Sequence, residues 1–256
     1  MIKYYLVTGD LHGRLGRVQQ IHTNPEETAI IILGDAGFQY YLDSRDTKFK
    51  NEAKHTGFTF YCVRGNHEAR PADIKNIIYE YDDNVKGMVY YEPDFPTIRY
   101  FSDGGEYTIL GKKTLVIGGA YSVDKQYRLL RGWQWFANEQ LSKEEQKEIE
   151  QFLITQYPDT PHYDLVLTHT CPLSWEPREL FLSMIDQSTV DASTEIWLEE
   201  IKNKITYDFW LFGHFHGNKI VNSNAAMLFE AVLDIGTIEP IDLETFEIPE
   251  GFYMTE

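Results

Sequence analysis

The chain has 256 residues, 43% of them hydrophobic and 25% charged, so it can bury a large core and is not disordered by composition. Its net charge of −17 repels a phosphate backbone at long range, which argues against an extended nucleic-acid surface but leaves a small local site open. No signal peptide opens the chain, and no apolar run reaches the roughly 18 residues that span a membrane. We therefore expect a cytoplasmic protein without a membrane partner.

Short apolar runs recur along the chain, and several are apolar throughout instead of alternating with polar residues. Continuous runs of this kind are typical of strands that are covered on both faces. The predicted strands are 4–7, 29–33, 58–63, 115–117, 165–167 and 209–212. The stretch EYTILGKKTLVIGG, which begins at Glu106, predicts a hairpin with Gly111 and Lys112 as its two-residue turn.

Helical patterns fall between these strands. Leu15, Val18 and Ile21 are spaced as in a helix after the first strand. A capping-box pattern at Ser142 starts a second helix, and apolar residues at helical spacing over 197–205 indicate a third. The alternation of strands and helices favours an α/β fold.

Two segments lack a regular pattern. Residues 172–193 hold two prolines and scattered large apolar residues, which is compatible with a lid or insertion and equally with an ordinary surface connection. From Glu239 to the last residue the chain carries six acids and no Lys or Arg. We expect this end to be a solvated flank.

Five of the predicted strands end in a short turn that carries Asp, Asn or His, often directly after a glycine. The polar residues on these turns are Asp10, His12, Asp35, Asn66, His67, His169, His214 and His216. In open α/β sheets, ligands bind at the carboxyl ends of the strands. If those ends share one edge, we expect these side chains to converge there. Glycine suits such turns because it accepts positive φ and allows close backbone approach.

The residue types in this set indicate a metal site. Oxygen and imidazole ligands without a thiolate suit Mn, Fe, Zn, Co or Ni more than Ca or a thiolate-bound metal. The seven residues of this set other than His67 are too many ligands for one catalytic ion and fit two ions if one carboxylate bridges. Two ions about 3.5–4 Å apart form a clamp for in-line displacement at phosphorus.

These motifs, in this order, resemble those of the metallophosphoesterase (calcineurin-like phosphoesterase) superfamily. The matching segments are Asp10-X-His12, Gly34-Asp35, Gly65-Asn66-His67-Glu68, His169 and Gly213-His214-X-His216. The resemblance implies a four-layer α/β/β/α sandwich with two mixed sheets. It also implies that residues 1–256 form a single domain with a dinuclear metal site at one edge.

The resemblance implies a role for each residue. Two divalent transition metal ions are expected, with Mn favoured and Fe, Zn, Co or Ni as alternatives. The implied ligands are Asp10, His12 and His216 for the first ion, Asn66, His169 and His214 for the second, and Asp35 as the bridge. A hydroxide that bridges the metals would attack phosphorus in line. His67 matches the family histidine that protonates or stabilises the leaving oxygen.

The sequence departs from one branch of this family. Ser/Thr protein phosphatases carry an Asp-Arg pair after the bridging Asp, whereas Phe38 and Gln39 stand here, so the acid that orients the histidine and one phosphate-binding Arg are missing. Arg14 and Arg70 lie close enough in sequence to reach a phosphate, and each is equally well a surface arginine. The segment GGAYSVDKQYRLLRGWQWF, residues 118–136, resembles one in small bacterial and phage members.

We therefore expect a metal-dependent phosphoesterase that acts on a small or medium phosphorylated substrate, either a monoester or a diester. A nuclease is an alternative, but it needs a basic path toward the metals that the net charge argues against. A protein phosphatase is a further alternative, weakened by the missing Asp-Arg pair. A non-catalytic scaffold would be expected to lose ligands, yet all seven positions are filled.

Overall fold

The computed structural model describes residues 1–238 and the short strand Tyr253–Met254. The acidic flank predicted from Glu239 onward lies, apart from that strand, outside the described residues. Fourteen strands occur in the described part of the chain. In chain order, β1 to β14 are Tyr4–Thr8, Thr28–Ile32, Thr59–Cys62, Ile78–Asp82, Gly87–Tyr91, Ile98–Phe101, Gly105–Ile109, Lys112–Ile117, His162–Thr168, Thr206–Phe212, Lys219–Asn222, Ala225–Met227, Val232–Asp234 and Tyr253–Met254.

The strands form two mixed sheets, each of seven strands within the described residues. The first sheet has the order β13-β1-β2-β3-β6-β5-β4, and the second has the order β14-β11-β12-β10-β9-β8-β7. The strands β1, β2, β3 and β6 are parallel neighbours in the first sheet, as are β8, β9, β10 and β12 in the second. The six predicted strands are confirmed as β1, β2, β3, β8, β9 and β10.

Four α-helices lie in the described residues, namely α1 to α4 at Ser44–His55, Lys125–Arg131, Lys143–Gln156 and Ser193–Lys204. The predicted capping box begins α3, since the Ser142 hydroxyl accepts the Glu145 N–H at 3.2 Å and the Glu145 carboxylate accepts the Ser142 N–H at 2.7 Å. The amphipathic stretch 197–205 is confirmed as the second half of α4. No helix in the described residues is long and apolar enough to cross a membrane.

Three apolar clusters hold the layers together. One lies between the sheets and includes Ile31 and Leu167. A second packs α3 and α4 on the outer face of the second sheet, and a third packs α1 on the outer face of the first. Strand β2 alternates between two of these clusters, because Ile30 and Ile32 face α1 while Ile31 faces the other sheet. These layers confirm the expected α/β/β/α sandwich with two mixed sheets.

Two local predictions are wrong. The hairpin between β7 and β8 turns at Leu110 and Gly111, one residue earlier than expected, because both residues take the positive φ (51° and 79°) that such a turn requires. The helix predicted around Leu15 and Val18 is only a 3₁₀ turn, Val18–Gln20. Its apolar residues are still buried, but the glycines at 13 and 16 disfavour a regular helix.

Candidate metal centre

The parallel strands of both sheets end at the same edge of the sandwich. Asp10 and Asp35 follow β1 and β2, Asn66 follows β3, and His169 and His214 follow β9 and β10. A hydrogen bond joins the two sheets here, since the side-chain Nδ1 of His169 donates to the Leu33 carbonyl at 2.7 Å. The side chains from five strand ends therefore meet, as the sequence predicted.

Asp10, His12 and His216 form the first group. The Nε2 atoms of the two histidines lie 2.8 Å apart, and they lie 3.7 Å (His12) and 3.4 Å (His216) from Oδ2 of Asp10. The Asp10 carboxylate is fully buried, and its Oδ2 has no hydrogen-bond partner among the described residues. A buried carboxylate oxygen without a partner is costly unless a cation compensates its charge. This group therefore fits a metal ion.

Asp35, His169 and Asn66 form the second group. The Nε2 of His169 lies 3.8 Å from Oδ2 of Asp35 and 2.8 Å from Oδ1 of Asn66. Because the Nδ1 of His169 donates to a carbonyl, its Nε2 carries a lone pair when the ring is neutral. That lone pair faces the amide oxygen of Asn66, and a cation between the two atoms would satisfy both.

The orientation of Asn66 is fixed from behind. Its Nδ2 donates to the Ser122 hydroxyl at 2.9 Å, and that hydroxyl donates to a carboxylate oxygen of Glu139 at 2.5 Å. Since the hydroxyl proton goes to Glu139, Ser122 must accept from the amide nitrogen of Asn66. The amide oxygen therefore points toward His169 and toward the position that an ion would take.

Backbone N–H groups hold one oxygen of each buried carboxylate. The N–H of His214 donates to Oδ1 of Asp10 at 3.0 Å, and the N–H of His67 donates to Oδ1 of Asp35 at 2.8 Å. The other oxygen of each carboxylate faces the histidines. Burial favours the protonated carboxyls, but the histidines around them outweigh it and hold the pKa of both Asp10 and Asp35 below its ordinary value.

Burial also sets the state of His214. Its ring is half-buried and lies 4.9 Å from that of His169, centroid to centroid. Burial first, and then the neighbouring His169, lower the pKa of His214 to about 3. A neutral imidazole is the form that binds a metal ion.

The backbone of the centre is strained. Positive φ angles occur at four non-glycine residues here, namely His12 (46°), Asp35 (49°), His214 (71°) and His216 (55°). Each such residue costs roughly 1–3 kcal/mol, and such strain concentrates at functional sites. The packing of the two sheets offsets that cost and keeps the side chains close together.

Glycines let neighbouring turns approach each other closely. A side chain at Gly65 would collide with the carboxylate and backbone nitrogen of Asp35, and one at Gly34 would enter the ring of His169. Gly34 also has a φ of +94°, which other residues rarely adopt. The glycines of these motifs are thus needed for the contacts between turns.

His67 stands beside the two groups and contacts an arginine that the sequence analysis did not identify. The guanidinium of Arg128 lies 3.1 Å from Nε2 of His67, and Oδ2 of Asp35 lies 3.9 Å from the same atom. Burial and, secondarily, the charge of Arg128 lower the pKa of His67, while the carboxylates of Asp35 and Asp124 oppose that shift. His67 is therefore held by Arg128 in the absence of the acid usual in the protein phosphatases.

Arg128 is itself fixed by two partners. Its Nε donates to both oxygens of Asp124 at 2.8 Å, and its Nη1 donates to the Tyr40 hydroxyl at 3.0 Å. The sequence signal was the spacing of Asp124 and Arg128, four residues apart in the 118–136 segment, which predicts an ion pair on one helix face. Nothing in the sequence placed that face against His67.

Phe38 and Gln39 point away from the centre. Phe38 is fully buried and stacks on Phe49 of α1, with ring centroids 4.9 Å apart. The amide nitrogen of Gln39 donates to Glu92 at 2.6 Å and to the Tyr100 hydroxyl at 3.1 Å. The positions of the family's Asp-Arg pair therefore belong to the outer core of this chain.

Glu68, the last residue of the Gly65-Asn66-His67-Glu68 motif, binds the backbone of the turn after β2. Its carboxylate accepts the N–H groups of Gly37 at 2.5 Å and Phe38 at 3.3 Å. Burial, reinforced by the charge of Asp35, raises the pKa of Glu68 to about 8. Glu68 thus ties the turn after β2 to the turn after β3.

The two predicted phosphate-binding arginines lie elsewhere. Arg70 donates to the carbonyls of Asn138 at 2.8 Å and Gln140 at 2.7 Å and pairs with Glu145. Arg14 is exposed on the turn after His12. Neither lines the two cavities beside the metal-binding groups, as those cavities are formed by the described residues.

Two cavities flank the centre and share Asp35 and His67. The arginine arm, of about 170 Å³, is lined also by His12, Tyr40, Tyr41 and Arg128. The apolar arm, of about 400 Å³, also borders Asn66, His214 and His216. Its apolar lining is Val123, Leu180, Phe181, Leu182, Ile185 and Phe215.

Much of the apolar arm comes from the irregular segment 172–193. This segment contains three 3₁₀ turns and is anchored by Trp175, which packs on Trp210 and Phe212. Phe181 stacks on Phe215 with centroids 6.2 Å apart. The segment therefore forms a wall of the site, and its role as a lid stays a prediction.

The profile of the calcineurin-like phosphoesterase family matches residues 4–218 of the chain. The chain belongs to this family. The match covers all seven candidate metal ligands, and it confirms the family that the sequence motifs resembled. This family is metal-dependent, and the groups Asp10, His12, His216 and Asp10, Asp35, His169 are arranged closely enough to bind metal ions.

Solved structures agree on the fold of this phosphoesterase. Twelve chains of known structure match it. One of them, a crystal structure, is 13% identical and aligns over 92% of this chain and 96% of its own with a TM-score of 0.50. At that identity the likeness concerns the fold alone. A comparison with curated proteins gives no match.

Proposed function

We propose that this phosphoesterase hydrolyses phosphoric ester bonds of a small or medium substrate with two divalent metal ions, Mn being favoured. The observation that supports this most directly is the unpartnered Oδ2 of Asp10 beside two histidine Nε2 atoms. Neutral groups alone leave that carboxylate uncompensated, whereas a cation satisfies all three ligands. Family membership supplies the class of reaction.

Seven residues would hold the two ions. Asp10, His12 and His216 would hold the first, Asn66, His169 and His214 would hold the second, and Asp35 would be shared by both. When bound, such ions activate water and neutralise charge on the phosphoryl oxygens. The protein's own part is to orient the ligands, as the Leu33 carbonyl does for His169 and the Ser122 hydroxyl does for Asn66.

His67 and Arg128 would act on the other side of the phosphoryl group. His67 faces both cavities, so its imidazole is placed to donate a proton or a hydrogen bond to the leaving oxygen. Arg128, fixed by Asp124 and Tyr40, is placed to pair with a phosphoryl oxygen. Arg14 and Arg70 have no part in this proposal.

We propose a cytoplasmic enzyme whose partner is its substrate, without an extended nucleic-acid surface and without a membrane partner. The net charge of −17 supports the exclusion of long polyanions. The single domain over residues 1–256 stays a prediction.

Metal loading tests the proposed function. Purified protein is loaded with Mn, its metal content is measured by elemental analysis, and hydrolysis of p-nitrophenyl phosphate and bis-p-nitrophenyl phosphate is followed before and after chelation. We expect close to two ions per chain and activity that chelation abolishes. Protein that binds no metal at saturation would refute the proposal, and metal binding without hydrolysis of either ester would favour a scaffold.

A further inference from the structure

Two cavities large enough for a substituent share part of their lining beside the metal-binding groups. The arginine arm and the apolar arm both border the metal-binding groups. Asp35 and His67 line both, and the rest of each lining is different. A phosphomonoester has one substituent on phosphorus and needs one such cavity. A phosphodiester has two substituents and would fill both.

The charge around the site also distinguishes the two ester classes. Among the described residues that line the arms, Arg128 is the one Lys or Arg, and Asp124 is bonded to it. The other candidate arginines do not line the arms. Gln39 stands at the position of the family arginine, and Arg70 is bonded elsewhere. A monoester dianion calls for more cationic groups than a diester monoanion does.

The two arms differ in chemistry. Six apolar side chains and no Lys or Arg line the apolar arm within the described residues. Of its two acids, Asp124 is paired with Arg128, and Asp35 is the proposed metal bridge. The arginine arm instead presents Tyr40, Tyr41 and the guanidinium. An apolar or aromatic group is favoured in the first, and a polar or aromatic group in the second.

From these arms we infer, on the basis of the proposed function, that the substrate is a phosphodiester with an apolar or aromatic substituent in the apolar arm. The reaction balances simply. Water adds to phosphorus, one ester P–O bond breaks, and the leaving oxygen takes up a proton. The products are a phosphomonoester and an alcohol.

Binding of uncleavable analogues tests this inference apart from activity. Diphenylphosphinate carries two substituents on a monoanionic phosphorus, and phenylphosphonate carries one. Neither has an ester bond to hydrolyse. Calorimetry on Mn-loaded protein is expected to give at least tenfold tighter binding of diphenylphosphinate. Hydrolysis of bis-p-nitrophenyl phosphate is expected to exceed that of p-nitrophenyl phosphate in kcat/KM by a similar factor.

A matched pair of variants locates the second substituent. Leu182 lines the apolar arm, whereas Met184, two residues on and 86% exposed, does not. Leu182→Asp is expected to weaken diphenylphosphinate binding roughly tenfold, and Met184→Asp is expected to leave it unchanged.

The outcomes separate the two claims. Equal or tighter binding of phenylphosphonate at full metal content, or equal effects of the two variants, overturns the diester inference and leaves the proposed function intact. Protein that holds no metal and cleaves neither ester refutes the proposed function, and the diester inference falls with it.

Discussion

The guanidinium of Arg128 contacts Nε2 of His67 at 3.1 Å, although the two residues lie on separate elements 61 positions apart in the chain. His67 comes from the turn after β3, and Arg128 comes from α2 in the segment 118–136. Asp124 fixes the arginine from the far side at 2.8 Å. This contact fixes the position of the His67 ring, but its electrostatic effect is opposite to that of a neighbouring acid, since the guanidinium lowers the pKa of His67.

Because Arg128 and Asp124 carry opposite charges, removing one or the other should shift the pKa of His67 in opposite directions. Arg128 lowers the pKa of His67, and Asp124 raises it. Removing the positive charge in Arg128→Met should move the limb of kcat/KM that requires protonated His67 to higher pH. Removing the negative charge in Asp124→Asn should move the same limb to lower pH. Profiles of both variants, recorded on one alkyl phosphodiester with metal content checked, decide this. Shifts in the same direction would contradict the electrostatic account.

Loss of His67 should depend on the leaving group. p-Nitrophenolate leaves without a proton, whereas an alkoxide needs one, and general acid catalysis contributes about 10²–10⁴-fold. His67→Ala should therefore lose far more kcat/KM on an alkyl or nucleoside ester than on an aryl ester. Since His67 is not among the proposed ligands, the variant should keep its metals. Equal losses on both substrates at full metal content would mean that His67 binds charge instead of donating a proton.

The sequence predicted that the candidate metal ligands converge, as they do in the structure, but it did not predict the contact between Arg128 and His67. Asp10, His12 and His169 follow buried strands directly, and strand ends must meet at one edge of parallel sheets, so local pattern was enough. Arg128 reaches His67 through the packing of α2 against the turn after β3, which no periodicity encodes. The partners of Arg70 were hidden for the same reason, since the carbonyls of 138 and 140 that bind it lie far along the chain.

Gly65 should be essential because of its neighbour. A Cβ at this position would collide with the carboxylate of Asp35, the proposed bridge. Gly65→Ala should displace that carboxylate, release both metals and destabilise the fold by about 1–3 kcal/mol. Gly16→Ala is the control, because a Cβ there meets nothing within 4 Å. Urea unfolding and elemental analysis of both variants make the comparison, and near-wild-type metal content in Gly65→Ala would contradict it.

Glu195 should make stability depend on pH. It is buried in α4, accepts the Thr170 hydroxyl at 2.7 Å, and burial raises its pKa from 4.5 to about 7. A carboxyl that titrates higher in the folded state holds its proton better there, so stability falls as pH rises from 4.5 through 7. Glu195→Gln keeps the acceptor oxygen and removes the charge.

The free energy of unfolding of Glu195→Gln should therefore rise relative to that of the wild type as pH rises. We expect a difference of roughly 3 kcal/mol above pH 8 and none attributable to this charge below pH 4. Denaturant unfolding at a series of pH values measures the difference. The exposed Glu200 on the same helix offers the control Glu200→Gln, for which a flat difference is expected. A flat difference for Glu195→Gln as well would show that its carboxyl does not titrate in this window.

Asp35 and His12 should differ in how many ions they hold. Asp35 lies 3.8 Å from His169 and 3.9 Å from His67 through one oxygen, and it is the proposed bridge between both groups. His12 belongs to the first group, where it lies beside Asp10 and His216. Asp35→Asn keeps an acceptor for the His67 N–H but loses the negative charge, so both ions should weaken. His12→Gln should chiefly weaken the binding of one ion.

Titration with Mn, read by elemental analysis after buffer exchange, measures the difference. It should leave close to no ions in Asp35→Asn and close to one in His12→Gln, and kcat/KM should fall more in Asp35→Asn. If Asp35→Asn retains two ions and near-wild-type activity, Asp35 is not the bridge.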